Sequence, residues 1–158
     1  DFIQRAFTII FIATIIIWFL QSFDWSLNMV ADSSDSMLAA IGSVISPVFI
    51  PLGFNDWRAS TALITGLTAK EAVVSTLSVL TGTSTDMQLS AVLNTIFTPL
   101  SAFSFLTFTL LYMPCVAAFA ASRREFGSTK YAVLAAAYQT ITAYIVGMIV
   151  YQIGILFV

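Results

Sequence analysis

The chain has 158 residues, of which 59% are hydrophobic and only 9% are charged, with a formal net charge of −2. Soluble domains usually carry about 25% charged residues, so this chain has too few to cover a water-facing surface. The composition predicts an integral membrane protein, and the lack of a basic patch argues against nucleic acid as a partner.

Several kinds of chemistry are excluded by the residue types. The chain has no histidine and a single cysteine, Cys115, which excludes imidazole catalysis, an internal disulfide and a zinc ribbon. It contains no P-loop and no H-E-x-x-H or G-x-S-x-G motif. We therefore expect no enzyme activity and no bound cofactor. Because Asp1 directly precedes an apolar run, we expect a piece of a longer membrane protein.

The first stretch, Phe2–Phe23, predicts a membrane-spanning helix. Its one charge, Arg5, lies near the start, and Trp18 and Trp25 flank the far interface as aromatic anchors do. The acidic stretch Asp24–Ser36 then predicts an aqueous loop with a short surface helix.

The next stretch, Met37–Asn55, carries no charge but contains Pro47 and Pro51. Proline removes a backbone donor and clashes with the preceding turn, so a straight helix is not expected past Ser46. We predict a re-entrant or broken segment, which survives at membrane depth only beside protein or water.

After a predicted helix cap at Asn55 or Asp56, the stretch Arg58–Leu80 is apolar apart from Lys70 and Glu71 in its middle. A helix starting near Arg58 would place Lys70 about 18 Å along its axis, close to the midplane of a hydrocarbon layer about 30 Å thick. A charge there costs at least roughly 2.5–3.5 kcal/mol. We therefore predict that this stretch is broken, lines a polar cavity and belongs to a transport path.

Two interpretations of the charged pair stay open. In the structural one, both charges belong to a buried ion-pair network that only sets helix register. In the functional one, Glu71 meets a cation or proton while Lys70 holds a neighbouring backbone group or carboxylate. Gly66 and Thr68, just before the pair, allow a backbone break that exposes carbonyls, as in the half-helices of transporters.

The rest of the chain predicts a turn, a short helix and two more spans. These are the turn Thr81–Asp86, the helix Gln88–Phe97 ended by Pro99, the spans Leu100–Ser122 and Lys130–Val158, and a polar turn Arg123–Gly127 between the spans. The positive-inside rule favours a cytoplasmic position for the basic residues of that turn.

The span before the polar turn contains Pro114 next to Cys115. The proline frees the carbonyl of Leu110 and should kink the span. A lone cysteine is more often a small buried hydrophobic residue than a ligand, but thiolate and thioether groups also suit softer transition metals, and Met113 is adjacent. In the last span, Gln139 either hydrogen-bonds between helices or lines the path.

Three stretches resemble the C-terminal membrane region of the bacterial ferrous iron transporter FeoB family: Pro51–Leu77, Leu110–Ala132 and Ala137–Gly154. The combination of D-W-R, G-x-x-A-K-E, Y-x-P-C-x-A and R-R-E-x-G carries the resemblance, which extends over essentially the whole chain. It implies one all-α, polytopic transmembrane gate domain, residues 1–158, with broken or re-entrant segments. This domain would be the second gate repeat of a larger transporter.

The resemblance further implies Fe(II) uptake across the bacterial inner (plasma) membrane by a multi-pass protein. It implies a GTPase domain, which would bind GTP and Mg²⁺, and a first gate repeat, neither of which is in this chain. The expected partners are Fe²⁺, the lipid bilayer and the rest of the longer chain, and a homo-oligomer is compatible with them.

The family's metal-path cysteine falls on Cys115, and its A-K-E element falls on residues 69–71. We hypothesise that Cys115 and Glu71 offer Fe(II) transient ligands. The expected path or gating residues are Gly66, Thr68, Lys70, Met113, Pro114 and Gln139.

Two other functions remain as alternatives. One is a gate-type transporter of another solute, such as a nucleoside or an organic anion, in which Lys70 would meet the substrate and Glu71 a coupling cation. The other is a structural module that docks another membrane subunit, which the charges near the midplane argue against.

Overall fold

The structure is a computed structural model that describes residues 2–30, 32–67, 70, 72–82, 86–113 and 115–157. Within these ranges lie the helices α1 (Phe2–Ser22), α2 (Met37–Ile45), α3 (Trp57–Thr65), α4 (Ala72–Leu80), α5 (Asp86–Ile96), α6 (Pro99–Leu111), α7 (Val116–Glu125) and α8 (Thr129–Phe157). Short 3-10 segments cover Ser33–Asp35 and Ser46–Leu52, and the described residues form no β-strand. The predicted all-α fold class is confirmed.

Two helical stretches of the described chain are long and apolar enough to cross a bilayer: Pro99–Glu125 and Thr129–Phe157. A third crossing results if Met37–Leu52 and Trp57–Thr65 together count as one broken span. The helix predicted as the first span forms as α1, with 21 residues; that it crosses the membrane stays a prediction. Apolar helices of this kind identify a membrane protein.

The proline-rich segment between α2 and α3 turns the chain sharply. After α2 ends at Ile45, the 3-10 segment follows, and the direction of α3 differs by 103° from that of Met37–Leu52. Gly53 closes the segment with φ = +86°, a left-handed conformation that glycine adopts without a steric penalty. The ring of Tyr151, from α8, packs directly against Gly53. The predicted broken segment is confirmed, and we call it the proline bend (residues 46–53).

Side chains of α8 satisfy the backbone of the proline bend. Pro51 has no N–H, so it cannot donate the 3-10 hydrogen bond to the carbonyl of Val48. The Tyr144 hydroxyl donates to Val48 O instead, at 2.8 Å, and the Gln152 amide donates to Pro51 O at 3.3 Å. The bend is thus held by neutral donors from a neighbouring helix.

An aromatic cluster forms the centre of the core. Its rings have centroid distances of 5.0–6.3 Å and belong to Phe49, Phe54, Phe97, Phe105 and Phe108. All five are buried. Since these residues come from the proline bend, the residue just after it, the α5–α6 connection and α6, the cluster fixes the bend against α6.

The last helix packs through small residues. The buried positions of α8 are Ala132, Ala136, Ala143 and Gly147, which let neighbouring backbones approach closely. The Ser104 hydroxyl of α6 donates to Gly147 O at 3.0 Å. α6 and α8 are therefore packed closely together and joined by a hydrogen bond.

Some predicted boundaries are wrong by a few residues. Arg123–Glu125, predicted in a turn, complete α7, where the two arginines in the last turn interact favourably with the helix dipole. Asp86, also predicted in a turn, begins α5. Pro99 is the first residue of α6, which Thr98 caps. Of the two predicted caps of α3, Asp56 is the one that forms.

Candidate functional site

Two interrupted helices meet at their breaks. The predicted Arg58–Leu80 stretch divides into α3 and α4, with Gly66 as the C-cap of α3. The predicted Leu100–Ser122 span divides into α6 and α7 around the Tyr-x-Pro-Cys motif. Across the two breaks, the N–H of Val116 donates to Leu67 O at 2.8 Å. The backbone thus links the start of α7 to the end of α3.

Lys70 connects the first break to the second. Its Nζ donates to Leu110 O at 2.9 Å and to Tyr112 O at 3.3 Å, and lies 4.9 Å from the centroid of the Tyr112 ring. The α-helical donor to Leu110 O would be residue 114, a proline without an N–H. Lys70 therefore supplies a donor that the chain's own sequence removes, and the ring contact adds a cation–π attraction.

Tyr112 is a central residue that sequence reasoning missed. It is buried, with 5% of its surface exposed, and its hydroxyl donates to Leu63 O at 3.2 Å. A Cβ added at Gly66 would lie 2.6 Å from the Tyr112 hydroxyl oxygen and 2.5 Å from a methyl carbon of Val73. Glycine fits here because the Tyr112 hydroxyl and a Val73 methyl group occupy the space that a Cβ would take. The available signal was the tyrosine of the Tyr-x-Pro-Cys motif.

The two halves of the first break are also joined by hydroxyl groups. Thr65, at the end of α3, and Thr76, in α4, lie 2.8 Å apart at their hydroxyl oxygens, and both are buried. A hydrogen bond between buried hydroxyls holds α4 against α3 although the helix is interrupted.

A cleft of about 390 Å³ opens beside the second break. Its walls include Lys70, Tyr112, Cys115 and Gln139, so the structure brings together three of the residues predicted for the path. Cys115 is the half-buried N-cap residue of α7. The cleft offers a soft thiol, backbone carbonyl oxygens and a side-chain amide, which are groups that can take the place of water around a cation.

The other predicted residues lie elsewhere. Met113 lines a separate cavity of about 240 Å³ between α3, α6 and α8, together with Thr140. Gly66 leaves space for the Tyr112 hydroxyl and does not line the cleft. Glu71, Thr68 and Pro114 lie outside the described residues. In the part of the chain that the structure describes, no three His, Cys, Asp or Glu side chains form a metal-binding group, so the pairing of Cys115 with Glu71 stays a prediction.

Known proteins resemble the whole chain. The Fe(2+) transporter FeoB of Staphylococcus aureus (strain COL) is 41% identical over 157 residues, which cover 99% of this chain and 23% of the relative. The Fe(2+) transporter FeoB of Methanocaldococcus jannaschii is 38% identical over 161 residues, covering 98% of this chain and 24% of the relative. The chain therefore spans about a quarter of the length of these relatives. No solved structure matches it.

A fused relative shows the same similarity. The Fe(2+) transport protein A/Fe(2+) transporter FeoB fusion protein of Porphyromonas gingivalis is 38% identical over 142 residues, covering 81% of this chain and 17% of the relative. The resemblance to the gate region of the FeoB family is confirmed. The family model described as "Gate: Nucleoside recognition" matches residues 3–129. Because this match covers most of the chain, the chain belongs to the Gate family of membrane proteins.

Proposed function

We propose that this chain is the C-terminal gate half of a ferrous iron transporter. The proposal is supported by the identity of 38–41% to Fe(2+) transporters over nearly the whole chain. The structural observation that carries it is the meeting of two helix breaks at a cleft lined by Lys70, Cys115 and Gln139. Interrupted helices at membrane depth are the usual way in which transporters present backbone groups to an ion.

In this proposal Cys115 is a transient ligand of Fe(II). A thiolate binds Fe(II) more favourably than it binds the hard cations Mg²⁺ and Ca²⁺. Cys115 lies where α7 begins, next to the carbonyls that end α6. Glu71 is the second proposed ligand, and Gln139 contributes its amide from α8. Gly66, Thr68 and Pro114 supply the breaks that give the site its backbone groups.

The remaining protein would surround this gate half. We infer a single gate domain over residues 1–158 that crosses the bacterial inner membrane several times. A first gate repeat and a GTPase domain that binds GTP and Mg²⁺ would be supplied by the rest of the longer chain. No resident cofactor is proposed for residues 1–158 themselves, and homo-oligomer formation stays a proposal.

Ferrous iron uptake by cells that express the full-length transporter tests this function. We expect uptake above that of cells without the transporter. We expect a loss of about tenfold in Cys115→Ser, equivalent to about 1.4 kcal/mol, because the soft sulfur ligand is replaced by a hydroxyl group. Ala121→Ser, which places a serine on α7 away from the cleft, is the matched control and should transport normally at equal membrane levels.

Normal uptake by Cys115→Ser would exclude the cysteine as a ligand, and an absence of uptake in the wild type would exclude iron as the substrate. The alternative of a nucleoside or organic anion transporter is not favoured, because the relatives are Fe(2+) transporters. Substrate-dependent uptake of such a solute, insensitive to metal, would support the alternative instead.

A further inference from the structure

The surroundings of Lys70 are those of a bound cation. Its ammonium group contacts two neutral backbone oxygens, Leu110 O at 2.9 Å and Tyr112 O at 3.3 Å, and the face of the Tyr112 ring at 4.9 Å. Carbonyl oxygens are the groups that replace the hydration shell of ions in channels and in calcium sites. An aromatic face also attracts a cation. The chain thus presents a small set of cation-binding groups, and Lys70 fills it.

The two carbonyl oxygens can accept hydrogen bonds from Lys70 because they have no donor within their own helix. The carbonyls belong to the last turn and the C-cap of α6, where an α-helix leaves its final carbonyls without partners. The proline at position 114 removes the next possible donor to Leu110 O. The negative end of the helix dipole lies at the same place, which favours a positive charge there. The site therefore suits a cation whether or not that cation is part of the protein.

The position of Lys70 relative to the cleft decides its role. Lys70, Leu110, Tyr112 and Cys115 line the same cleft of about 390 Å³. A metal ion that approached Cys115 would meet a positive charge in the adjoining position. The metal and the ammonium group would compete for the two carbonyls, because two positive charges at such a short distance repel each other. Lysine carries its charge on a flexible four-carbon stem, so the ammonium can leave without moving the backbone of α6.

We propose that the carbonyls of Leu110 and Tyr112 form a cation site of the transport path, and that Lys70 is its built-in occupant, which an entering divalent cation must displace. This inference rests on the proposed function, and it adds that the Lys70 ammonium group competes with the transported ion. A monovalent cation repels the Lys70 ammonium group only weakly, so Lys70 would stay on the two carbonyls. A divalent cation repels it more strongly and can also bind the thiol of Cys115, so it would displace Lys70. The alternative is a purely structural role, in which Lys70 only stabilises the C-terminal end of α6 as a brace.

Binding of Co²⁺ to the purified full-length transporter distinguishes the two roles. Co²⁺ resembles Fe²⁺ in charge and ligand preference and is stable in air, and equilibrium dialysis measures its dissociation constant. If Lys70 competes with the metal, Lys70→Met should bind Co²⁺ about tenfold or more tightly than the wild type, a gain of about 1.4 kcal/mol. Lys70→Arg should bind like the wild type, because the positive charge remains. A brace predicts the reverse, since a disordered α6 end would bind the metal more weakly.

Lys130→Met is the matched control, because it removes an exposed lysine at the start of α8 by the same substitution. It should leave the dissociation constant unchanged. Should Lys70→Met not fold, as judged by size-exclusion chromatography, Lys70→Gln removes the charge and keeps a donor, and it carries the same prediction of tighter binding. Unchanged or weaker Co²⁺ binding by a folded, neutral Lys70 variant would overturn the proposal.

The Co²⁺ binding test and the Fe(II) uptake test can fail independently of each other. Tighter Co²⁺ binding by Lys70→Met without Fe(II) uptake by the wild type would keep the cation site and reject iron as the substrate. Fe(II) uptake by the wild type with unchanged Co²⁺ binding by Lys70→Met would keep the transporter and reject the built-in occupant.

Discussion

The proline bend and the break between α6 and α7 solve the same backbone problem with different chemistry. In both, a proline removes an N–H that a helical carbonyl would otherwise accept from. At the bend, the neutral Tyr144 hydroxyl and Gln152 amide donate to Val48 O and Pro51 O. Gly53 and the ring of Tyr151 fill the space beside them. The bend is thus packed closely against α8.

The break uses a charged donor beside an open cleft. Lys70 supplies the hydrogen bonds to Leu110 O and Tyr112 O, and Cys115 lines the same space. The donors at the bend are neutral and belong to the helix packed against it, whereas the donor at the break is a cation beside an open cleft. Under the proposal that Lys70 is displaceable, the bend serves as scaffold and the break is the part that moves.

The largest expected effect comes from filling the space at the bend. Gly53→Ala forces an L-residue into a left-handed conformation, which costs roughly 1–2 kcal/mol. Its Cβ would also overlap the Tyr151 ring, and such overpacking adds typically about 1–3 kcal/mol. Heating the purified full-length protein in detergent and measuring the fraction that stays monodisperse should show a markedly lower midpoint.

Gly127→Ala is the matched control for that variant. Gly127 has φ = +62°, and a Cβ there would meet nothing within 4 Å. Gly127→Ala therefore has the cost of the left-handed backbone conformation without a steric overlap. Its thermal midpoint should fall by less than that of Gly53→Ala. Equal losses in the two variants would mean that the packing of Tyr151 contributes little to the bend.

The second effect tests the break. Gly66→Ala would push a methyl group against the Tyr112 hydroxyl and Val73, with an overpacking cost of typically about 1–3 kcal/mol. Because Tyr112 carries one of the carbonyls that hold Lys70, we expect Fe(II) uptake to fall more than thermal stability does. Gly82 has φ = +64°, and a Cβ there would meet nothing within 4 Å. Gly82→Ala therefore adds backbone strain far from the break and should leave uptake intact. A loss of stability with uptake preserved would place Gly66 among the scaffold residues.

The smallest effect concerns one neutral hydrogen bond of the bend. Tyr144→Phe removes the donor to Val48 O, and hydrogen bonds between membrane helices average about 0.6 kcal/mol. We expect a small decrease in the thermal midpoint and unchanged Fe(II) uptake, because the bend has a structural role in this proposal. Tyr138→Phe, at an exposed ring of the same helix, should change neither quantity. A large loss of uptake in Tyr144→Phe alone would show that the bend moves during transport.

The positions of the interruptions could be predicted from the residues alone. Pro47 and Pro51 predicted the bend, Gly66 and the charged pair predicted the break in the Arg58–Leu80 stretch, and Pro114 predicted the kink before α7. Proline and glycine act within one helical turn of their own position, so no knowledge of packing is needed. The turn at Arg123–Glu125 was predicted wrongly because charges in sequence do not distinguish a loop from the last turn of a helix.

Residues far apart in sequence were joined only by the tertiary structure. Lys70 contacts a carbonyl 40 residues away, and Tyr112 reaches back to Leu63 O. Met113 and Cys115, two residues apart, line different cavities. Such outcomes depend on the rotation of one helix against another, which side-chain packing decides over the whole domain.

Residue composition and order alone predict an all-α membrane domain, interruptions in its helices, and a lysine at one interruption. The reason is local: apolar composition, missing N–H groups and a charge act where they stand. The contact of this lysine with two carbonyls beside Cys115 and Gln139 follows from helix packing, which local sequence does not specify. That contact depends on bringing α3, α6 and α8 together, because an unpaired carbonyl takes whichever donor the packing places beside it.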